Sequence, residues 1–342
     1  MGKIKYYVPA SCGIGEIYTR IWEPKGETRG VLLILHGMSE YSGRFGSFAE
    51  MATEQGIAVG AIDLAGHGKS TQVKGDFGKN GILNMVRDAK KLQLTMMEKY
   101  PDVPVFILGN SLGTALCRLL ISRYEGVDGC ILVSTMNHMP FTVTVAKICK
   151  VIALVKGKRY KSKVMQNLAF SPFLRKKEHK DSKFPEFWDL KTLLYQIRNI
   201  KLKVGDPFTL QSYADMFESI ERATNPKWAS SISEDNRFLL LSGAEDPVGN
   251  FGQSVRDLDV QLRKNGNSSV KSVLYPELAH EVLQGKQYAG PSKVIVDWVV
   301  EQIREIGESG ATSEVGAVSK VNAVSDVNAV GGGRKSKAGK KA

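Results

Sequence analysis

The chain has 342 residues, 42% hydrophobic and 24% charged, which excludes a small stapled scaffold and wholesale disorder and predicts one large domain with an insertion, or two domains. The net charge of +12 is unevenly placed: Phe141 to Lys203 holds sixteen Lys and Arg against four acids, so a uniformly basic nucleic-acid binder is excluded and no specific nucleic-acid partner is expected. The four cysteines, Cys12, Cys117, Cys130 and Cys149, lack the close spacing that metal or redox work needs and read as reduced, mostly buried thiols.

The start, Met1 to Tyr6, has no long apolar run of the signal-peptide kind, which predicts an intracellular, cytoplasmic protein. Lys3 to Val8 and Ile17 to Glu23 are candidates for an antiparallel edge. From residue 30, short β-rich apolar runs alternate with segments of helical period, the pattern of βαβ units in a mostly parallel sheet. The predicted strands are Val31 to Leu35, Ile57 to Asp63, Val103 to Leu108 and Gly129 to Val133, and the helices Gly43 to Gln55, Asn84 to Tyr100 and Ser111 to Tyr124. The pattern breaks between about Met136 and Ile232. It resumes with strand Phe238 to Ser242, helix Gly252 to Asn265, strand Val270 to Tyr275 and helix Pro291 to Ile306.

The predicted organisation is therefore an α/β core in residues 1–135 and 233–308, an inserted helical cap in 136–232, and a flexible low-complexity tail in 309–342. In the tail a hexad recurs from Val315, Val321 and Val327, too few copies to build a stacked core. The most apolar stretch of the cap, Phe141 to Val155, is interrupted by Lys147 and Lys150 and is too short to cross a bilayer. From Thr142 to Tyr160 apolar residues interleave with Lys147, Lys150, Lys156, Lys158 and Arg159, which predicts either a helix lying in an anionic lipid interface, a peripheral membrane contact, or an ordinary amphipathic cap helix.

Gly109-Asn110-Ser111-Leu112-Gly113 follows an apolar strand and opens a helix, the context in which G-x-S-x-G forms a nucleophile elbow. Small flanking residues are needed because the tight strand-to-helix turn brings backbone close and forces unusual dihedrals. A serine nucleophile needs a base, and there are five histidines to choose from. His36 and His67 lie in glycine turns and read as structural, while His138 and His179 fall in or beside the insertion, where surface placement is the default. His280 comes after the strand Val270 to Tyr275, in the Ser, acid, His order of this chemistry. The acid is expected after the strand Phe238 to Ser242, where Glu245 and Asp246 are adjacent. Asp246, restricted by Pro247, is the better choice and Glu245 the solvent-facing one. The oxyanion donors are expected to be the Leu112 N–H at the helix start and the Met38 N–H in the loop after the first parallel strand. Gly66-His67-Gly68 does not continue as a dinucleotide fingerprint, and neither a P-loop nor a metal cluster is evident, so no cofactor is implied.

Together, His36-Gly-Met-Ser-Glu-Tyr-Ser-Gly-Arg-Phe45, Asp63-Leu-Ala-Gly-His-Gly-Lys-Ser70, Gly109 to Gly113, Asp246-Pro-Val-Gly249 and Tyr275-Pro-Glu-Leu-Ala-His-Glu281 resemble the serine α/β-hydrolases of the monoacylglycerol lipase and lysophospholipase type, in the same order. The resemblance implies an eight-stranded sheet, a helical cap inserted after the sixth strand, and hydrolysis of single-acyl lipid esters, monoacylglycerol or lysophospholipid, through an acyl-enzyme. It assigns Ser111 as nucleophile, Asp246 and His280 as its partners, and the Met38 and Leu112 amides as oxyanion hole. Asn110 and Tyr41 stand where the family often has histidine, and the cap, for example Phe187 to Lys191, matches loosely. A small-ester esterase, a peptidase or an acyltransferase on the same triad therefore remain alternatives, as does a non-catalytic ligand receptor. The sequence does not indicate an oligomeric state.

Overall fold

The computed structural model describes residues 2–139, 141–169, 207–284 and 287–328, with the backbone course alone given for 169 and 309–328. Two compact units are distinguished, residues 1–299 and 300–342. The first is built on one sheet of eight strands: β1 (Gly2–Pro9), β2 (Glu16–Glu23), β3 (Gly30–Leu35), β4 (Ile57–Ile62), β5 (Val105–Asn110), β6 (Gly129–Val133), β7 (Arg237–Gly243) and β8 (Val270–Tyr275). Their spatial order is β1-β2-β4-β3-β5-β6-β7-β8. The first two junctions are antiparallel and the other five parallel.

The burial patterns explain this order. Strands β3, β4, β5 and β6 are buried at every position, as strands covered on both faces must be, whereas β1 carries exposed residues along its length and takes the edge. Helices cover both faces: α1 (Gly46–Glu54), α2 (Gly81–Lys99), α3 (Leu112–Ile121), α4 (Thr142–Lys156), α5 (Lys163–Ala169), α6 (Leu210–Thr224), α7 (Gln253–Lys264) and α8 (Ala289–Asn328). Alternate strand residues Leu33, Leu35, Ile107, Leu132 and Leu240 join the core formed with α2, α3, α4 and α6. On the opposite face Phe106 meets Trp298 of α8 edge-on, with ring centroids 6.0 Å apart. Gly60 lets α2 approach, since a Cβ there would lie 3.2 Å from Met96. This is the α/β-hydrolase architecture that the motifs imply.

Some boundaries differ from the sequence reading, for local reasons. Strand β5 begins at Val105 rather than Val103, because Pro104 has no N–H to give to a ladder. It runs on through Asn110, whose partner on β6 is Val133. The first predicted helix divides into a 3₁₀ turn, Ser42–Phe45, and α1. Helix α8 continues to Asn328, where a flexible tail from 309 is expected. The Ala-, Val- and Ser-rich hexads contain no proline and so hold nothing that must break a helix. Residues 329–342 lie outside the described residues.

Within the insertion, helices α4, α5 and α6 are helical as expected, while His179 and Phe187 to Lys191 lie outside the described residues. The segment between α4 and α5 is tied to the start of α6 by a bridge between Lys161 and Thr209. Both ends rest on the loop after β4: Lys161 Nζ donates to Lys74 O at 2.8 Å, the Thr209 N–H to Gly75 O at 3.0 Å, and Ser212 Oγ to Gly75 O at 3.0 Å. Phe208 packs there between His67, Phe77 and Tyr213.

Candidate active site

In an open parallel sheet the chemistry collects at the carboxyl ends of the strands, where the loops change direction. Here the ends of β3, β5, β7 and β8 present Met38, Ser111, Asp246 and His280. Ser111 lies between β5 and α3 with φ 52° and ψ −116°, a left-handed conformation that costs a non-glycine residue about 1–3 kcal/mol. Its neighbours make the turn possible. A Cβ on Gly113 would fall 1.9 Å from Leu35 O, and one on Gly109 would fall 2.4 Å from Gly113 O. The turn is pinned by the Ser111 N–H to Val133 O at 3.0 Å and the Thr114 N–H to Ser111 O at 2.9 Å.

His280 Nε2 stands 2.8 Å from Ser111 Oγ, and its Nδ1 stands 2.9 Å from Asp246 Oδ2. Asp246 is fully buried, and its other oxygen accepts the Val248 N–H at 2.9 Å. The His280 carbonyl accepts from Ser134 Oγ at 2.6 Å, and Gly243 makes room for the base loop, since a Cβ there would lie 1.9 Å from Leu278 O. Glu245 points to solvent. Burial works against a charged imidazole at His280, but the Asp246 carboxylate and its hydrogen bond, together with Glu281 and Glu40, outweigh it and raise the pKa above the ordinary histidine value.

The remaining described histidines have other partners. The His36 ring bonds Gly37 O through Nδ1 at 2.7 Å and accepts the Leu64 N–H on Nε2 at 2.9 Å, so both nitrogens are committed to backbone. His67 bonds Ala65 O at 3.0 Å, and burial pushes its pKa down to about 3. His138 sits half-buried, 3.4 Å from Thr224 Oγ1.

Leu112 is the first residue of α3, so its N–H is one of the first-turn amides with no intrahelical acceptor. Met38 is half-buried in the loop after β3, between Gly37 and the left-handed Ser39. That loop is held by a residue to which the sequence reading gave no role. The Glu40 carboxylate accepts the Gly37 N–H at 2.6 Å and Asn110 Nδ2 at 3.0 Å through Oε2, while its Oε1 pairs with Arg44. The Glu40–Arg44 spacing of four residues was the signal available for it. Among the described residues, no group of three or more His, Cys, Asp or Glu side chains could hold a metal ion.

The family model described as serine aminopeptidase, S33 matches residues 26–287. The chain belongs to this family. Among relatives of this S33 protein, the monoglyceride lipase of Homo sapiens is 31% identical over 146 residues, 40% of this chain and 46% of that protein. The monoglyceride lipase homolog of Monkeypox virus is 39% identical over 103 residues, 29% of this chain and 36% of that one. The chain thus spans less than half the length of these curated relatives. A thermostable carboxyl esterase from Bacillus coagulans superposes with a TM-score of 0.79 at 23% identity, over 89% of this chain and 99% of the other. A monoglyceride lipase from Saccharomyces cerevisiae gives 0.65 at 14%, over 88% and 95%. At those identities the likeness to the two solved structures is one of fold, and the S33 chain shares the α/β-hydrolase architecture.

Proposed function

We propose that the protein is a serine esterase that cleaves single-acyl lipid esters, monoacylglycerols or lysophospholipids, through an acyl-enzyme. The observation that carries the reading is the unbroken relay from Ser111 Oγ through His280 to the buried Asp246, at 2.8 and 2.9 Å. Ser111 attacks the ester carbonyl while His280 takes its proton. Asp246 holds the imidazole in the tautomer that leaves Nε2 free to accept, and the Met38 and Leu112 N–H groups receive the developing oxyanion. The histidinium then protonates the leaving alcohol, and a water activated by His280 releases the fatty acid. The monoglyceride lipases among the relatives support the lipid substrate. A panel of monoacylglycerols, lysophospholipids, triacylglycerols and short-chain esters tests it: kcat/KM should be highest for one of the two long-chain monoacyl classes. Preference for short esters, or for peptides, would replace this substrate class with another on the same triad.

The raised pKa of His280 sets a pH dependence. Only the neutral imidazole can accept the serine proton, so kcat/KM should fall on the acid side around a midpoint above the roughly 6.5 of a free histidine. Stability runs the other way. A raised folded-state pKa means that proton binding favours the native chain, a contribution present below about pH 6.5 and lost as pH rises through the raised value. A kinetic midpoint at or below 6.5 would contradict the electrostatics of the pair.

Helix α4 buries Val145, Ala146 and Cys149, but leaves Ile148, Val151, Leu154 and Val155 in solvent among the described residues, the last two 84% and 82% exposed. Lys147, Lys156 and Lys158 are exposed beside them, while Lys150 pairs with Glu218 of α6 at 2.5 Å. Among the described residues nothing covers these side chains, which favours the interfacial alternative, a peripheral contact with an anionic lipid surface. No helix among the described residues is long and apolar enough to cross a membrane. Binding to anionic vesicles should weaken steeply with salt. Lys147→Glu with Lys156→Glu should weaken it by more than about tenfold, at about 1 kcal/mol per basic residue at the surface, and should spare turnover of a soluble ester. Equal binding to neutral and anionic vesicles would mark these lysines as a solvated face.

A further inference from the structure

Three loops must keep register for the proposed chemistry: the one after β3 with Met38, the elbow with Ser111, and the one after β8 with His280. A charged chain runs through all three. Glu40 takes the Gly37 N–H and the Asn110 side-chain amide on one oxygen and Arg44 on the other. The second arm of the Arg44 guanidinium donates to Glu281 Oε2 at 2.8 Å, across 237 residues of sequence. Glu281 is the residue after His280. The Arg44 and Glu40 side chains are 9% and 5% exposed, whereas that of Glu281 is 29% exposed.

We propose that Arg44 is a positioning residue whose guanidinium, bridging Glu40 and Glu281, locks the loop of the base to the loops of the nucleophile and the oxyanion donor. The inference rests on the esterase reading above and adds to it a device for holding the relay in register. Glu40 and Arg44 lie four residues apart and could satisfy each other locally. The third member has no such local reason. Reaching Glu281 uses the planar fork of arginine, which can hold one carboxylate on each arm, and a lysine at this position could not reproduce that geometry.

The bridge also acts electrostatically. His280 faces Asp246 and Ser111, with Glu281 beside it in the chain and Glu40 across the site, and all three carboxylates favour its charged form. Arg44 offsets two of these. Burial opposes charge at Glu40, yet Arg44, His36 and the hydrogen bonds from Asn110 and Gly37 hold its carboxyl below the usual range. Arg44 is itself raised by the two glutamates against its burial. The two ends of the bridge should therefore move His280 in opposite directions: loss of Glu281 makes it less basic, and loss of Arg44 makes it more so.

The test is steady-state kinetics of Glu281→Gln, Arg44→Lys and Arg44→Met on a soluble ester, with the pH profile of kcat/KM. Glu281→Gln leaves the buried Glu40–Arg44 pair intact, so it remains informative if Arg44→Met does not fold. The expected result is a kcat lower by about 10- to 100-fold with KM little changed, the scale of a catalytic group displaced by about 1 Å. The acid limb should move to lower pH in Glu281→Gln and to higher pH in Arg44→Met, and Arg44→Lys should recover only part of the loss. Wild-type kcat and an unmoved acid limb in Glu281→Gln, whatever its melting temperature, would overturn the proposal. Labelling of Ser111 by a fluorophosphonate separates this from failure of the esterase reading. If Ser111 is labelled and required while these variants behave as wild type, only the bridge is refuted. If Ser111 is dispensable, the triad assignment itself falls.

Discussion

Ser111→Ala is expected to abolish ester turnover while leaving the fold intact. The side chain contributes Oγ to the contact with His280, and its removal takes away the proposed nucleophile without opening a cavity or orphaning a buried charge. The 2.9 Å contact of His280 with Asp246 does not involve Ser111, so the loop of His280 is expected to retain its anchor in the variant. Members of such a triad act as one unit, and loss of the nucleophile typically costs on the order of 10⁴ to 10⁶ in rate. The φ of 52° at this position is strained for alanine as for serine, so the melting temperature should change little. A fluorophosphonate should label wild-type protein at Ser111 and fail to label the variant. Near-wild-type turnover, or a label elsewhere, would remove Ser111 from the mechanism.

Asp246→Asn should be almost as damaging, by roughly 10⁴-fold in kcat. The amide can still occupy the buried site between His280 and the Val248 N–H. Under the proposed mechanism it could not stabilise the imidazolium that would form as Ser111 gives up its proton, and by presenting an N–H toward Nδ1 it would favour the wrong tautomer. The adjacent Glu245→Gln is the control. Glu245 is exposed and joins the site through its backbone, where its N–H bonds Leu278 O at 3.0 Å. Turnover of that variant should stay within about twofold of wild type, as for surface substitutions away from special features. If the two effects were reversed, the acid of the triad would be Glu245.

Most of the scaffold was legible because its signals are local. Strands buried on both faces must be short, continuously apolar runs, and Gly30–Leu35 and Gly129–Val133 read that way directly. The elbow was legible for a steric reason, since Gly109 and Gly113 stand where a side chain would strike backbone. His280 could be singled out by elimination and order among five histidines, and its ring lies between Ser111 and Asp246. What stayed hidden depends on contacts between distant segments. The Arg44–Glu281 pair joins residues 237 apart, and neither periodicity nor a turn rule reports such a meeting. The exposure of Leu154 and Val155 was equally unreadable, because an amphipathic pattern gives the angle between two faces of a helix without saying which one is covered. Helix α8 runs past 309, where low complexity reads as a flexible tail, and nothing in the hexads forbids a helix.

The bridge between Lys161 and Thr209 brings the two ends of residues 162–208 together. The chain leaves the insertion's stem beside Lys161 and re-enters at Thr209, two positions joined to each other and seated on Lys74 and Gly75 respectively. A foreign segment spliced between Ser162 and Phe208 would need to span almost no distance, and its closure entropy would grow only slowly with its length. Ser111, Asp246 and His280 belong to strand ends outside that excursion. Under the proposed function, residues 162–208 could be exchanged while these three positions stay where they are.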